Sequence, residues 1–172
     1  MVSRGIFNMK IRICTVRPLM KFPIFAWAIM IFQKMLPWKK DSYSHFCLIY
    51  ESETGRNKCI DSTSKGVRDR TSAQFFQEYK MVNFKTFEVD TNRQEFLEWF
   101  EEIEGRGYDS LQILGLALKV LGFVSYNRLG KNYSSLICNE VVLSFFERFY
   151  NVQVGDPDNY DLKMTWELTE TI

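Results

Sequence analysis

The sequence predicts one α+β domain in which an antiparallel sheet packs against helices. Segments rich in aromatic and β-branched residues are joined by a tight turn, and apolar residues later recur at helical spacing. The length of 172 residues and the apolar share of 46% suit a single globular domain, taken as residues 1–172. Residues 1–8 are expected to contribute little to the fold, because Met9 resembles a second possible start.

Strands are predicted mainly in the first half of the chain. Residues 10–16 alternate basic and apolar side chains, which is typical of a short strand. The aromatic and branched run at 44–50 is the strongest strand signal, and Gly55 marks the turn to a returning strand at 58–62. These two strands predict a β-hairpin, and a further strand is predicted at 81–90.

Helical periodicity and helix-boundary residues define the remaining elements. The predicted helices cover residues 23–36, 71–79, 92–104, about 109–123 and 136–149. Pro23 suits the first turn of the first of these helices, and Pro37 ends it. Ser134 or Ser135 can cap the last one. Loops are expected at 62–66 and 124–135, and the end from Gly155 is expected to be irregular.

The charge is unevenly distributed along the chain, although the net charge is only +1. This small net charge argues against a nucleic-acid partner. Residues 1–40 carry eight Lys or Arg and no acidic residue, so the remainder carries a net charge of −7. The basic segment either pairs with the acidic remainder or contacts a membrane or an anionic polymer.

An apolar run at residues 22–32 bears on the location of the protein. It is shorter than the roughly 20 residues that a bilayer-spanning helix needs. It follows basic residues, as in a signal peptide, but no small-residue cleavage site comes after it. A cytoplasmic location is therefore expected, with release or delivery by another route left open.

The cysteines do not suggest a metal site. Four of them are spread along the chain, which has a single histidine. They are Cys14, Cys47, Cys59 and Cys138. Without a CxxC motif or a Cys/His cluster, no metal site is expected. The low density of cysteine also differs from that of a disulfide scaffold, so the thiols are expected to be reduced.

Cys138 is the candidate nucleophile of the chain. It lies at the start of a predicted helix, where partial positive charge and free N–H groups favour a thiolate over a thiol. A backbone N–H at this position can also donate to the oxyanion that forms during acyl transfer. The alternative is a small buried cysteine that only packs.

His45 and Asp61 are the candidate partners of this thiol. His45 opens the strongest strand, and an imidazole can act as both base and acid near neutral pH. Asp61 lies in the returning strand of the hairpin, so its carboxylate can be next to the imidazole and orient it. The alternatives are a histidine with no catalytic task and an aspartate that caps the following loop.

The histidine strand precedes the cysteine helix in this chain. This order is similar to that in a known family. The matching motifs are Tyr43-Ser44-His45, Ile60-Asp61-Ser62 with Lys65-Gly66-Val67, Tyr108-Asp109, and Leu136 to Val141. They resemble the permuted papain-like hydrolases of the YaeF/YiiX type, which are relatives of the NlpC-type cell-wall peptidases. The resemblance covers about residues 20–150. This chain has Asp61 where the family often has Glu, and Asn139 where Ser is commoner.

The resemblance implies a circularly permuted papain-like fold and hydrolysis of an amide bond through a thioester. Cys138 would be the nucleophile, His45 the base and Asp61 the third polar member, with no metal or organic cofactor. The implied substrate-binding residues are Tyr43, Tyr108 and Asp109. A cell-wall peptide, as in peptidoglycan, is the leading substrate. For Tyr108 and Asp109, the alternatives are a tyrosine that only packs and an aspartate that caps a helix.

Two other classes of function stay open at this stage. The lecithin:retinol acyltransferase-like relatives share the order of residues and transfer fatty acyl groups, so a lipid-directed acyltransferase or lipase at a membrane is one. Those relatives carry an Asn-Cys-Glu-His block, whereas this chain reads Cys-Asn-Glu-Val at residues 138–141. The other is a catalytically inactive binding or structural protein on the same fold, which predicts an unreactive Cys138.

Overall fold

A computed structural model describes residues 8–19, 43–109, 112, 113, 115, 118, 122, 123, 135–156, 160 and 162–172. The strands are β1 (Asn8–Pro18), β2 (His45–Glu51), β3 (Asn57–Thr63), β4 (Gly66–Thr71) and β5 (Tyr79–Asp90). The helices with described bounds are α1 (Ser72–Phe76), α2 (Arg93–Ile103), α3 (Cys138–Tyr150) and α4 (Leu162–Thr171). The strands form one antiparallel sheet in the order β4-β3-β2-β1-β5, which confirms the predicted α+β class.

The predicted strands are all present as β1, β2, β3 and β5. β1 is longer than expected because it lies between β2 and β5 and pairs with β5 along its whole length. The predicted hairpin joins β2 to β3, with Leu48 opposite Ile60 and Glu51 opposite Asn57. Gly55 has a φ of 72°, so the turn uses the backbone conformation that glycine adopts without strain.

Strand β4 was not predicted, and this region corrects two expectations. The expected loop at 62–66 is only a two-residue turn, and the chain returns at once along β3. The expected helix at 71–79 is shortened to α1, whose first turn is capped by the Thr71 side chain. Gly66 has a φ of 84°, and a Cβ there would lie 2.6 Å from the carbonyl oxygen of Arg106. Glycine is therefore required where β4 begins.

The C-terminal end also differs from the expectation of irregular structure, because it forms α4. Leu162, Trp166 and Leu168 are half-buried against the main core. The ring of Trp166 packs against Phe46 of β2, with ring centroids 6.5 Å apart. This helix is stabilised by packing on the rest of the protein, which the local sequence pattern does not reveal.

Apolar side chains cover both faces of the sheet. Phe46, Leu48 and Tyr50 of β2 face the cluster that includes α2 and α3. The residues between them point to the other face, where a second cluster forms. That cluster contains Cys14, Val16, Cys47, Ile49, Cys59, Phe75 and Tyr79. His45 belongs to the same alternating row as Cys47, and so it starts on the second face.

Some predictions fall outside the described residues. They are the predicted helix at 23–36, most of residues 1–8, and the predicted loop from 124 to 134. Of the predicted helix at 109–123, the described positions 112, 113, 115 and 118 are helical. Within the described part of the chain, no helix combines the length and apolar character needed to cross a membrane.

Candidate active site

The hairpin brings His45 and Asp61 together, as the sequence predicted. In the β2–β3 register both side chains lie in rows on the second face of the sheet. The His45 Nε2 atom lies 3.5 Å from Oδ2 of Asp61, and the two side chains are 7% and 0% exposed. This distance is long for a hydrogen bond, so the contact is mainly an interaction of charges inside the protein.

Cys138 is the first residue of α3, but the cap of this helix differs from the predicted serine. Ile137 is the N-cap residue, and it has no side-chain oxygen that could accept a hydrogen bond. The carboxylate of Glu140 instead accepts a hydrogen bond of 2.7 Å from the Ile137 N–H. The other oxygen of Glu140 accepts one of 2.7 Å from Gln112. These buried contacts fix the first turn of α3 and therefore the position of the Cys138 N–H.

A hydrogen bond ties the chain before α3 to the sheet. The Ser62 hydroxyl, one residue beyond Asp61, donates to the Leu136 carbonyl oxygen at 2.5 Å. On its other side, the N–H of Leu136 donates to the carbonyl oxygen of Gly107 at 2.8 Å. The start of α3 is thereby held at the end of β3, and Cys138 is near enough to His45 to influence the pKa of the imidazole.

The ionisation of His45 reflects both of these neighbours. Burial lowers the pKa of His45, but the negative charge of the Cys138 thiolate and the contacts with Asp61 and Cys138 outweigh it. The net effect raises the pKa of His45 to about 10. The imidazole is therefore protonated at neutral pH.

Arg70 is a member of the site that sequence reasoning missed. Its Nη2 donates to Oδ2 of Asp61 at 3.0 Å, and its Nη1 donates to Oε2 of Glu78 at 2.5 Å. Burial raises the pKa of Asp61, but the contacts with His45 and Arg70 are stronger and hold that pKa below its ordinary value of 3.8. Arg70 lies in the unpredicted strand β4, so no sequence signal placed it near Asp61.

Two aromatic side chains cover the imidazole on the second face of the sheet. The His45 ring stacks on Tyr79, with centroids 5.2 Å apart, and lies 6.2 Å from Phe75. Tyr79 and Phe75 also stack on each other at 4.8 Å. Burial and the charge of Asp61 raise the pKa of Tyr79 to about 12. The site is therefore walled by rings and by a hydroxyl that stays protonated.

The three predicted substrate-binding residues lie in different settings. Burial, and after it the negative charge of Cys138, raise the pKa of Tyr108, so its hydroxyl stays protonated. Asp109 accepts a 2.9 Å hydrogen bond from the Gln112 N–H, as a helix-capping aspartate would. Tyr43 donates from its hydroxyl to the Leu162 carbonyl oxygen at 3.1 Å, which places it in the core beside α4. A contact of Tyr43 or Asp109 with substrate stays a prediction.

The other three cysteines are buried together in the second cluster. Cys14 lies opposite Cys47 on neighbouring strands, and Cys59 is on the next strand. All four cysteines are free thiols. Burial and the two neighbouring thiols raise the pKa of Cys47 well above its ordinary value. Among the described residues, no group of three or more His, Cys, Asp or Glu side chains could hold a metal ion.

A groove of about 1250 Å³ lies at the far end of the sheet from Cys138. It is lined where β2 ends and α2 begins, and its wall includes Glu51, Arg93 and Glu98. Its volume alone suits a ligand. His45 lies at the opposite end of β2 from Glu51, so the groove is separate from the candidate active site.

Comparison of the chain with family models, with curated proteins and with solved structures finds no significant match.

Proposed function

We propose that this protein is a cysteine hydrolase that cleaves an amide bond through a thioester acyl-enzyme. The observation that carries this proposal is the buried imidazole of His45, which lies 3.5 Å from Asp61 and whose pKa is raised by the charge of Cys138. The resemblance to the permuted papain-like hydrolases supports the papain-like fold and a cell-wall peptide as the leading substrate. In that reaction Cys138 is the nucleophile, His45 the base and acid, and Asp61 the group that orients the ring.

The first half of the reaction transfers the acyl group to sulfur. The Cys138 thiolate attacks the carbonyl carbon of the amide, and the carbonyl oxygen becomes an oxyanion. The Cys138 N–H, fixed in the first turn of α3, donates to this oxyanion. His45 gives its proton to the amide nitrogen as the C–N bond breaks. An amine leaves, and a thioester to Cys138 remains.

The second half requires His45 to change from acid to base, and the charges of the site provide for this change. Sulfur is uncharged in the thioester, so the Cys138 charge that raised the pKa of His45 is gone. Burial then favours the neutral imidazole. Neutral His45 takes a proton from water as the water oxygen attacks the thioester carbon. The C–S bond then breaks, and Cys138 departs as a thiolate beside the protonated imidazole. The carboxylic acid leaves and the ion pair is restored.

Alkylation of the thiols tests whether Cys138 is the activated nucleophile. Native protein is treated with sub-stoichiometric iodoacetamide from pH 5 to 9, and each cysteine is followed by mass spectrometry. We expect Cys138 to be labelled first, also below pH 7, because its thiolate is stabilised by protonated His45. The substitution His45→Ala should slow this labelling.

The control for this experiment is Ser44→Ala, which changes the neighbouring buried side chain and removes a hydroxyl without a partner among the described residues. It should label like the natural protein. Labelling of Cys138 that is no faster than labelling of Cys14, Cys47 and Cys59 would contradict the proposal and favour a catalytically inactive protein on the same fold.

A further inference from the structure

Arg70 holds the same carboxylate oxygen that faces the imidazole. Its side chain is 10% exposed and reaches from β4 to Oδ2 of Asp61 at 3.0 Å. Nε2 of His45 lies 3.5 Å from the same oxygen. Among the described residues, Nε2 has no hydrogen-bond acceptor at all. Arg70 and His45 therefore compete for Oδ2 of Asp61, and Arg70 is the closer of the two.

The second arm of Arg70 and the aromatic pair fix this arrangement. The other guanidinium nitrogen binds Glu78 at 2.5 Å, so the fork spans two carboxylates. The guanidinium carbon lies 4.8 Å from the centroid of Phe75. The same pair of stacked rings, Phe75 and Tyr79, packs on the imidazole. Arg70 and His45 are therefore positioned by one set of neighbours.

We propose that Arg70 is a positioning residue that limits the basicity of His45 by holding the Asp61 carboxylate away from it. This inference rests on the proposed function, because the limit matters in the acyl-enzyme. His45 must then be neutral to take a proton from water. If Asp61 bound the imidazole directly, the ring would keep its proton and hydrolysis of the thioester would slow.

The charged and titratable groups around Asp61 and His45 determine whether removing Arg70 raises or lowers the pKa of His45. Asp61 is faced by His45 from β2, Arg70 from β4 and Tyr79 from β5, and His45 is influenced by Cys138 from α3. Glu78 pairs with the second arm of Arg70, and Tyr108 lies near Cys138. Removing Arg70 removes one positive charge and one competitor for Oδ2. Both changes favour a protonated imidazole, so the pH at which His45 loses its proton should rise.

Nuclear magnetic resonance of the imidazole tests this directly, because the chain has one histidine. The background is Cys138→Ala, which has no thiolate and thus resembles the charge state of the acyl-enzyme. Adding Arg70→Met should raise the titration midpoint of His45 by about one pH unit. Adding Arg70→Lys keeps the positive charge and should raise it less. A midpoint in Arg70→Met that stays in place or falls would overturn the proposal.

Two further variants complete this experiment. Lys58→Met is the matched control, because Lys58 forms a comparable ion pair with Asp69 at 2.6 Å but has no described contact with Asp61. It should leave the His45 midpoint unchanged. Glu78→Gln removes a partly exposed carboxylate and frees Arg70 for Asp61, so the midpoint should fall. If Arg70→Met does not fold, a rise or no change in Glu78→Gln overturns the proposal.

The kinetic readout separates this inference from the proposed function. With p-nitrophenyl acetate as the probe, the Arg70→Met variant that keeps the natural Cys138 should still show the initial burst of nitrophenol. Its steady-state rate at pH 7 should fall about tenfold and recover at higher pH, because one pH unit changes the neutral fraction about tenfold. A protein without a burst contradicts the proposed function, whereas the His45 midpoints still decide the role of Arg70. A burst with an unchanged pH profile contradicts only the role of Arg70.

Discussion

Replacing Cys138 by serine is expected to reduce steady-state hydrolysis of p-nitrophenyl acetate by about a thousandfold and to abolish the burst. A hydroxyl does not ionise near neutral pH, so the substitution removes both the proposed nucleophile and its proposed ion pair with His45. His45→Ala should cause a loss of similar size, because it removes the proton acceptor for water. The double variant should be little worse than either single one, since the two residues act as a unit.

The matched control for this prediction is Cys14→Ala, which removes a buried thiol from the second cluster. It has no cationic partner among the described residues, so it should keep the burst and most of the turnover. The proposed role of Cys138 is contradicted if Cys138→Ser keeps more than about a tenth of the steady-state rate. It is also contradicted if Cys14→Ala loses as much of that rate as Cys138→Ser does.

Asp61→Ala is expected to lower the free energy of unfolding by about 3 kcal/mol, because it leaves two buried cations without their shared carboxylate. Asp61 is fully buried, and Arg70 and His45 are nearly so. The second carboxylate on Arg70, from Glu78, keeps the expected loss at the lower end for a broken buried pair. Urea denaturation of both proteins measures the difference.

The pH of this measurement follows from the two pKa shifts. The pKa of His45 is raised, so its contribution to stability is complete below the ordinary value of 6.5 and is lost as the pH rises through about 10. The pKa of Asp61 is lowered, so its contribution is complete above 3.8 and is lost as the pH falls through the folded value. Both contributions are therefore complete at pH 5, where the difference should be largest.

Asp69→Ala is the control for the buried pair. Asp69 binds Lys58 at 2.6 Å on the neighbouring strands, but both side chains are about a quarter to a third exposed. Exposed ion pairs contribute at most about 1 kcal/mol. A loss for Asp61→Ala no larger than the loss for Asp69→Ala would show that the Asp61 contacts do not stabilise the fold.

Much of the sheet and the pairing of His45 with Asp61 could be predicted from the sequence. Strands β2 and β3 are rich in aromatic and branched residues, and the turn at Gly55 determines which residues face each other. Cys138 could be placed because an apolar helix begins at that residue. These signals are local, and each needs only a few neighbouring residues in the chain.

The parts that could not be predicted depend on partners distant in sequence. β4 reads as a polar segment, because Arg68, Asp69 and Arg70 are three consecutive charged residues. They show no alternation of apolar and polar side chains that would predict a strand. Arg70 is accommodated there only because Asp61 and Glu78 neutralise it. In the same way, the start of α3 is capped by a buried glutamate that Gln112 also binds, and not by the serine that precedes it.

The titration of His45 by nuclear magnetic resonance is the most direct test of the ion pair at the centre of this account. The single histidine gives one set of ring signals, with no assignment to resolve. We expect a midpoint near pH 10 in the natural protein and a much lower one in Cys138→Ala, where the neighbouring negative charge is absent. A midpoint at or below 6.5 that does not change in Cys138→Ala would contradict it.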